Sequence, residues 1–268
     1  MENEANNNLS SIADDTQYSL TKILSIWALV AIPMPILMFI VAPALADPSG
    51  PGYGYAITVW LLMIAGMIWQ FVLSMIILYR ELDAFTWANI KKRVWLSKPT
   101  DPKTGKSSYK YFWWLIPAAI FVLVIEMSPV GDMLVQIVLS IFPSLDGIGA
   151  DIEGLAIPEL VGAWWLLGVA IVSIIFNYFL GEELLFRGIL LPKMKGAFGK
   201  WDWIANAALF GMYHLHKPQH IITISVSALA YTWTSKRFQS NWFAIILHGV
   251  EGIIVLVAVI GVASGLAF

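Results

Sequence analysis

Apolar residues run along this chain in blocks of about twenty, too long and too continuous for the half-buried stripes of a soluble helix. A helix needs about 20 mostly apolar residues to cross a bilayer. By that rule Ile23 to Leu45 and Tyr55 to Tyr79 are spans, with the turn cluster Asp47-Pro48-Ser49-Gly50-Pro51-Gly52 between them. Arg80 to Lys110 is a polar, basic loop with an interfacial stretch around Phe85 to Trp95, and Tyr111 to Met127 is a third span. Met133 to Phe142 is too short for an ordinary span and reads as a re-entrant or tilted piece. Leu160 to Leu191 is long, Trp203 to Leu215 and Ile221 to Thr234 are short, and Phe243 to Leu266 is the last. The pattern predicts an all-α polytopic membrane bundle of seven transmembrane helices, or eight if Met133 to Phe142 crosses. Three regions follow: a polar tail over 1–19, N-terminal helices over 20–159 that carry the 80–110 loop, and a core over 160–268.

Composition agrees. Of 268 residues 59% are hydrophobic and 13% charged, against about 25% charged in a soluble domain. The absence of cysteine excludes disulfides, cysteine nucleophiles, thiolate metal sites and palmitoylation. The tail carries Glu2, Glu4, Asp14 and Asp15 and lacks the basic start of a signal peptide. Lys and Arg set orientation. Eight of the sixteen lie between Arg80 and Lys110, and the stretch from there to Arg187 carries only acids. Lys193, Lys195 and Lys200 mark a second basic loop, and Lys236 with Arg237 a third. With these loops in the cytoplasm, the N-terminus is cytoplasmic and the C-terminus outside, in what reads as a plasma membrane. The basic loop suits anionic lipid headgroups. Nothing points to nucleic acid.

Against this background a few polar residues stand out, because a charged group at membrane depth costs a few kcal/mol even on mild scales. Glu182, Glu183 and Arg187 lie in the long fifth block, and His214 and His248 in later ones. At a rise of 1.5 Å per residue, Glu182 lies roughly 16 Å from Lys193, His214 roughly 21 Å from Lys200 and His248 roughly 16 Å from Arg237. All three thus reach similar depths below the basic face, which suggests one site entered from the cytoplasm. Glu183 and Arg187 are four apart and can pair, so Glu182 stays free for chemistry. Asn206, Phe210 and His214 form a ladder on one helix face, and His248 and Glu251, three apart, can touch.

A carboxylate in an apolar cavity is poorly solvated as an anion, which strengthens it as a proton acceptor. Glu182 is the candidate general base, with His214 holding the water and His248 donating to an oxyanion. There is no serine-nucleophile motif, Gly-rich phosphate loop or HExxH helix. One Glu with two His is also a legitimate zinc set. A scaffold, an immunity-type protein or a binder could use the same polar cavity. His216 and His220, beside Lys217-Pro218, read as surface residues of a turn. Glu126 reads as an interfacial residue, a second cavity group being the alternative.

Glu182-Glu183-Leu184-Leu185-Phe186-Arg187 resembles the EExxxR motif of the CPBP family, the CAAX-protease and bacteriocin-processing group also called Abi. Phe210-Gly211-Met212-Tyr213-His214 resembles its FxxxH motif, and His248 its third motif. The resemblance covers about Leu160 to Val262. It implies a glutamate-dependent intramembrane endopeptidase without metal or other cofactor, acting on a peptide or membrane protein that is lipid-modified or not. It puts water activation on Glu182 and His214 and oxyanion stabilisation on His248, with Glu183, Arg187, Phe210, Asn206 and Glu251 in support. One position departs from the pattern. Four residues after His248, where the family usually has Asn or Asp, stands Gly252. Loss of one oxyanion donor costs about 10²–10³ in rate, so an altered or inactive relative is the alternative; Asn206 could stand in if it reached the site.

Overall fold

The computed structural model describes residues 17–50, 52–148 and 155–267. The polar tail up to residue 16, Pro51 of the turn cluster, and Asp151 and Glu153 lie outside them. The described residues form an all-α membrane bundle, with one isolated β-bridge, Thr100 to Ser107, in the basic loop. In chain order the helices are α1 (Leu20–Leu45), α2 (Gly54–Glu81), α3 (Trp87–Arg93), α4 (Tyr109–Glu126), α5 (Pro129–Ile141), α6 (Trp165–Lys193), α7 (Asp202–Tyr213), α8 (Ile221–Phe238) and α9 (Trp242–Ser264).

Of the seven to eight expected spans, α1, α2, α4, α6 and α9 are long and apolar enough to cross a membrane. With 13 and 12 residues, α5 and α7 rise only about 18–20 Å, short of a hydrocarbon core of about 30 Å. α8 has 18 residues but is rich in serine and threonine. α6 starts later than the apolar run, at Trp165 instead of Leu160. Ahead of it Pro158–Leu160 makes a single 3₁₀ turn and Gly162 adopts φ +85°, a left-handed conformation that ends any helix begun at Pro158.

The three basic loops lie on one face and are lashed together there. Arg93 of α3 donates to Glu81 (2.9 Å), to Tyr18 (3.0 Å) and to the carbonyls of Gly188 (3.0 Å) and Ile189 (3.1 Å). Tyr18 donates to Glu81, and Lys22 bonds the same carboxylate. Burial first, and then Glu81, raises the Tyr18 phenol above its ordinary range, so it remains a donor. Arg237 pairs with Asp101, Lys236 with Asp202, and Ser240 donates to the Ser97 carbonyl. The Arg237 hydrogen bonds hold the Asp101 carboxyl below the usual carboxylate range. Beneath this lashing lies the main core, which includes Leu78, Val94, Phe186, Leu190, Met194 and Tyr213.

Arg93 is the knot of the lashing, and its side chain is only 10% exposed. Replacing it by Ala removes one of the donors to Glu81 and leaves the Gly188 and Ile189 carbonyls without theirs. We expect Arg93→Ala to destabilise the folded protein by about 2–4 kcal/mol, read as a lowered melting temperature in detergent. An unchanged melt would mean the basic loop does not brace the bundle.

Candidate active site

α6 does not keep an α-helical register. Phe176–Gly181 and Leu184–Leu190 are π-helical, and Glu182-Glu183 sit between the two segments. A π turn shifts the backbone pairing to i→i+5, and carbonyls along this stretch take side-chain donors. Asn241 donates to the Glu183 carbonyl at 3.0 Å, Asn206 to Phe186 at 2.9 Å, and Arg93 to Gly188 and Ile189. α3, α7 and the start of α9 are thereby pinned to the segment that carries the glutamates.

Glu183 and Arg187 pair as their spacing predicts, Oε1 to Nη1 at 2.9 Å, both with no exposure. The guanidinium lies 4.0 Å from the centroid of the Phe210 ring, with Tyr231 beyond at 5.4 Å. The same Glu183 Oε1 also takes His248 Nδ1 at 2.9 Å, a contact that sequence spacing did not suggest because the two residues are 65 apart. The other imidazole nitrogen, Nε2, lies 3.7 Å from Glu251 Oε2 and 3.8 Å from Glu182 Oε2. His248 therefore stands among three carboxylates. Tyr231 stacks on it at 5.4 Å and Tyr178 meets it edge-on at 4.7 Å.

Glu182, Phe210, His214, His248 and Glu251 line one cavity of about 590 Å³. Glu183 and Arg187 lie behind the wall, in the core. Asn206 is fully buried, with its amide on the Phe186 carbonyl and near Met194 Sδ, and it does not line the cavity. His214 is positioned through Nδ1, 2.9 Å from the Phe210 carbonyl. A carbonyl only accepts, so Nδ1 carries the hydrogen and Nε2 is an acceptor whenever the ring is neutral.

The cavity also corrects two readings of the sequence. His216 is buried, 3% exposed, and it lines the cavity with Lys217 and His220, so this turn is not simply a surface turn. Glu126 lines it too, at the end of α4. Access differs from expectation as well. Between the glutamates and the basic face the space is filled by Leu185, Phe186, Ile189, Leu190 and Met194, all with no exposure. The cavity instead runs the other way, to Ala56 and Val59 near the start of α2 and to the His216–His220 turn.

Several site residues were missed. With its amide turned to satisfy both groups, Asn177 donates to Glu182 Oε1 at 3.0 Å and Oε2 at 3.2 Å. It is five residues before Glu182, a spacing that shares a face in a π turn but not in an α-helix. Tyr178, Tyr231 and Ser173 also line the cavity. Tyr178 accounts for Gly252. A Cβ at that position would lie 2.8 Å from two ring carbons of Tyr178 and 3.2 Å from Ile174 Cγ2. The tyrosine ring occupies the place an Asn side chain would need. Among the described residues no group of three or more His, Asp or Glu is arranged to hold a metal ion.

A helical membrane bundle with buried Glu and His side chains around a cavity offers a polar site at membrane depth. Residues 160–254 match the family described as Type II CAAX prenyl endopeptidase Rce1-like. That stretch carries the EExxxR and FxxxH motifs and His248, and the match supports the CPBP, or CAAX-protease, family of membrane endopeptidases. Such a family acts on peptide substrates in a lipid setting. No curated protein and no solved structure matches the chain.

Because the Tyr178 ring fills the space beside Gly252, restoring the usual residue should fail. We expect Gly252→Asn to destabilise the protein by about 1–3 kcal/mol through overpacking, and the loss to be relieved in a Tyr178→Ala background. Thermal melts of the two single variants and the double variant check this. An Asn accommodated without loss would mean that Tyr178 swings aside freely.

Proposed function

We propose that the protein is an intramembrane endopeptidase that hydrolyses a peptide bond in this cavity through a water activated by Glu182. The observation that carries the proposal is the division of labour between adjacent carboxylates. Glu183 is committed to Arg187 and His248, whereas Glu182 lines the cavity with His214 and His248 and is held by Asn177. Water bound between Glu182 and His214 Nε2 gives its proton to the carboxylate as its oxygen attacks the peptide carbon. The C–N bond then breaks, and the proton on Glu182 passes to the leaving amine.

The developing oxyanion needs donors. Nδ1 of His248 faces a carboxylate oxygen, so it carries a hydrogen, and in the imidazolium form Nε2 donates into the cavity. Glu183 is then the positioning residue for His248. Tyr178, in the place of the usual Asn side chain, brings a phenol hydroxyl to the same cavity and supplies the second donor in this reading. The basic face lies in the cytoplasm of a plasma membrane with the N-terminus beside it, by the excess of Lys and Arg there.

The test is cleavage of fluorogenic apolar peptides, prenylated and plain, by purified protein in lipid nanodiscs. We expect Glu182→Gln to lower kcat by about 10²–10⁴ and Tyr178→Phe by about 10²–10³, both with folded protein. Full activity of Glu182→Gln would overturn the proposal. A wild type that binds these peptides but never cuts them would favour a non-catalytic binder.

A further inference from the structure

α2 approaches the glutamate-bearing segment of α6 where α6 has no side chain to hold it off. A Cβ at Gly181 would lie 3.1 Å from the Met67 carbonyl oxygen, so the backbone of α2 passes close beside the residue before Glu182. Gln70 and then Ser74 follow Met67 at the three- and four-residue spacings that share a helix face. Both are buried with no exposure. Gln70 donates from Nε2 to the Tyr213 hydroxyl at 2.5 Å, and Tyr213 in turn hydrogen-bonds Glu182. Neither Gln70 nor Tyr213 lines the cavity. A chain of two hydrogen bonds thus reaches Glu182 from behind the cavity wall.

The direction of that chain follows from the number of hydrogens. A phenol has one. With the amide N–H on the phenol oxygen, that hydrogen is free to go to Glu182. Were the amide turned, its oxygen would take the hydrogen and Glu182 would lose it. The orientation that serves Glu182 leaves Gln70 Oε1 buried without a hydrogen-bond partner among the described residues, which is costly. An apolar side chain of the same size would not carry that cost, so the amide works against stability and for Tyr213.

We propose that Gln70 is a positioning residue for the hydrolysis, acting through Tyr213 to fix the Glu182 carboxylate against its attacking water. This rests on Glu182 being the general base. An ionised carboxylate has about four acceptor positions. Asn177 takes one on each oxygen and Tyr213 a third, which leaves one for the water. The other charged groups that act on Glu182 are Glu183 and Arg187 on its own helix and His248 and Glu251 on α9. α2 carries no acid or base between Tyr55 and Tyr79, so what it contributes is direction and not charge. Residue 70 lies outside the matched stretch 160–254, which makes α2 part of the machinery of this chain.

The test uses Gln70→Met, Tyr213→Phe and the double variant, each as the full chain in lipid nanodiscs. Cleavage of the fluorogenic apolar peptides gives kcat and KM, and thermal melts give stability. Isotope-edited infrared spectra give the Glu182 carboxylate stretch, identified as the band absent from Glu182→Gln. A base misplaced by about 1 Å loses about 10²-fold in rate, and a loosened one loses less. We expect Gln70→Met to lower kcat about 10-fold with KM within about 2-fold, since no group that touches substrate is removed. It should melt no lower than the parent and should move the Glu182 band. In the Tyr213→Phe background it should change neither kcat nor the band further. A lower melt with kcat unchanged would make Gln70 a packing residue and overturn the proposal, as would full additivity with Tyr213→Phe. Cleavage by wild type with a Glu182 band indifferent to Gln70→Met would overturn the positioning role and leave the peptidase intact. A band that moves in a protein that cuts nothing would support the chain from Gln70 to Glu182 and overturn the peptidase.

Discussion

A carboxylate and a guanidinium with no exposure, 2.9 Å apart on one helix, set the terms for this protein. Desolvating such a pair costs several kcal/mol per ion, and removing one partner leaves the other unpaired in the core. Their surroundings offset part of that cost. Arg187 lies over Phe210, and cation–π attraction is strongest where water is excluded. Glu183 takes a second donor from His248. One buried group thus joins α6 to α9 through His248, and its counter-ion joins α6 to α7 through Phe210. Glu182, the adjacent residue, is left facing the cavity.

The bundle was legible in the sequence because hydrophobic blocks and turn residues report membrane helices directly. So was the cluster of Glu182, His214 and His248, since helical rise from three basic loops put them at one depth. What the sequence concealed traces mainly to α6. The 3.6-residue period assumed for that helix does not hold over Phe176–Gly181 and Leu184–Leu190. Asn177 therefore escaped notice as a partner of Glu182. The His248–Glu183 contact joins residues far apart in sequence, which no periodicity reveals. Asn206 shares a helix ladder with Phe210 and His214, yet it serves the Phe186 carbonyl behind the cavity wall.

Two departures from expectation have a common physical form, in that bulky side chains decide them. Apolar residues from Leu185 to Met194 fill the direct path to the basic face, so the cavity extends away from it, toward α2 and the His216–His220 turn. The Tyr178 ring of α6 fills the space that a side chain at Gly252 of α9 would enter. Neither effect is readable along a single helix, because each depends on which faces meet.

In the proposed mechanism Glu183 serves structure and Glu182 serves chemistry, and equilibrium stability separates them most directly. The measurement is denaturant unfolding in detergent of Glu183→Gln and Glu182→Gln beside the parent protein. Glu183→Gln should lose about 3–5 kcal/mol, because Arg187 is left buried without its counter-charge. Glu182→Gln, which leaves that pair whole, should stay within about 1 kcal/mol of the parent. Equal losses, or a larger loss for Glu182→Gln, would contradict the division of roles on which this reading of the site depends.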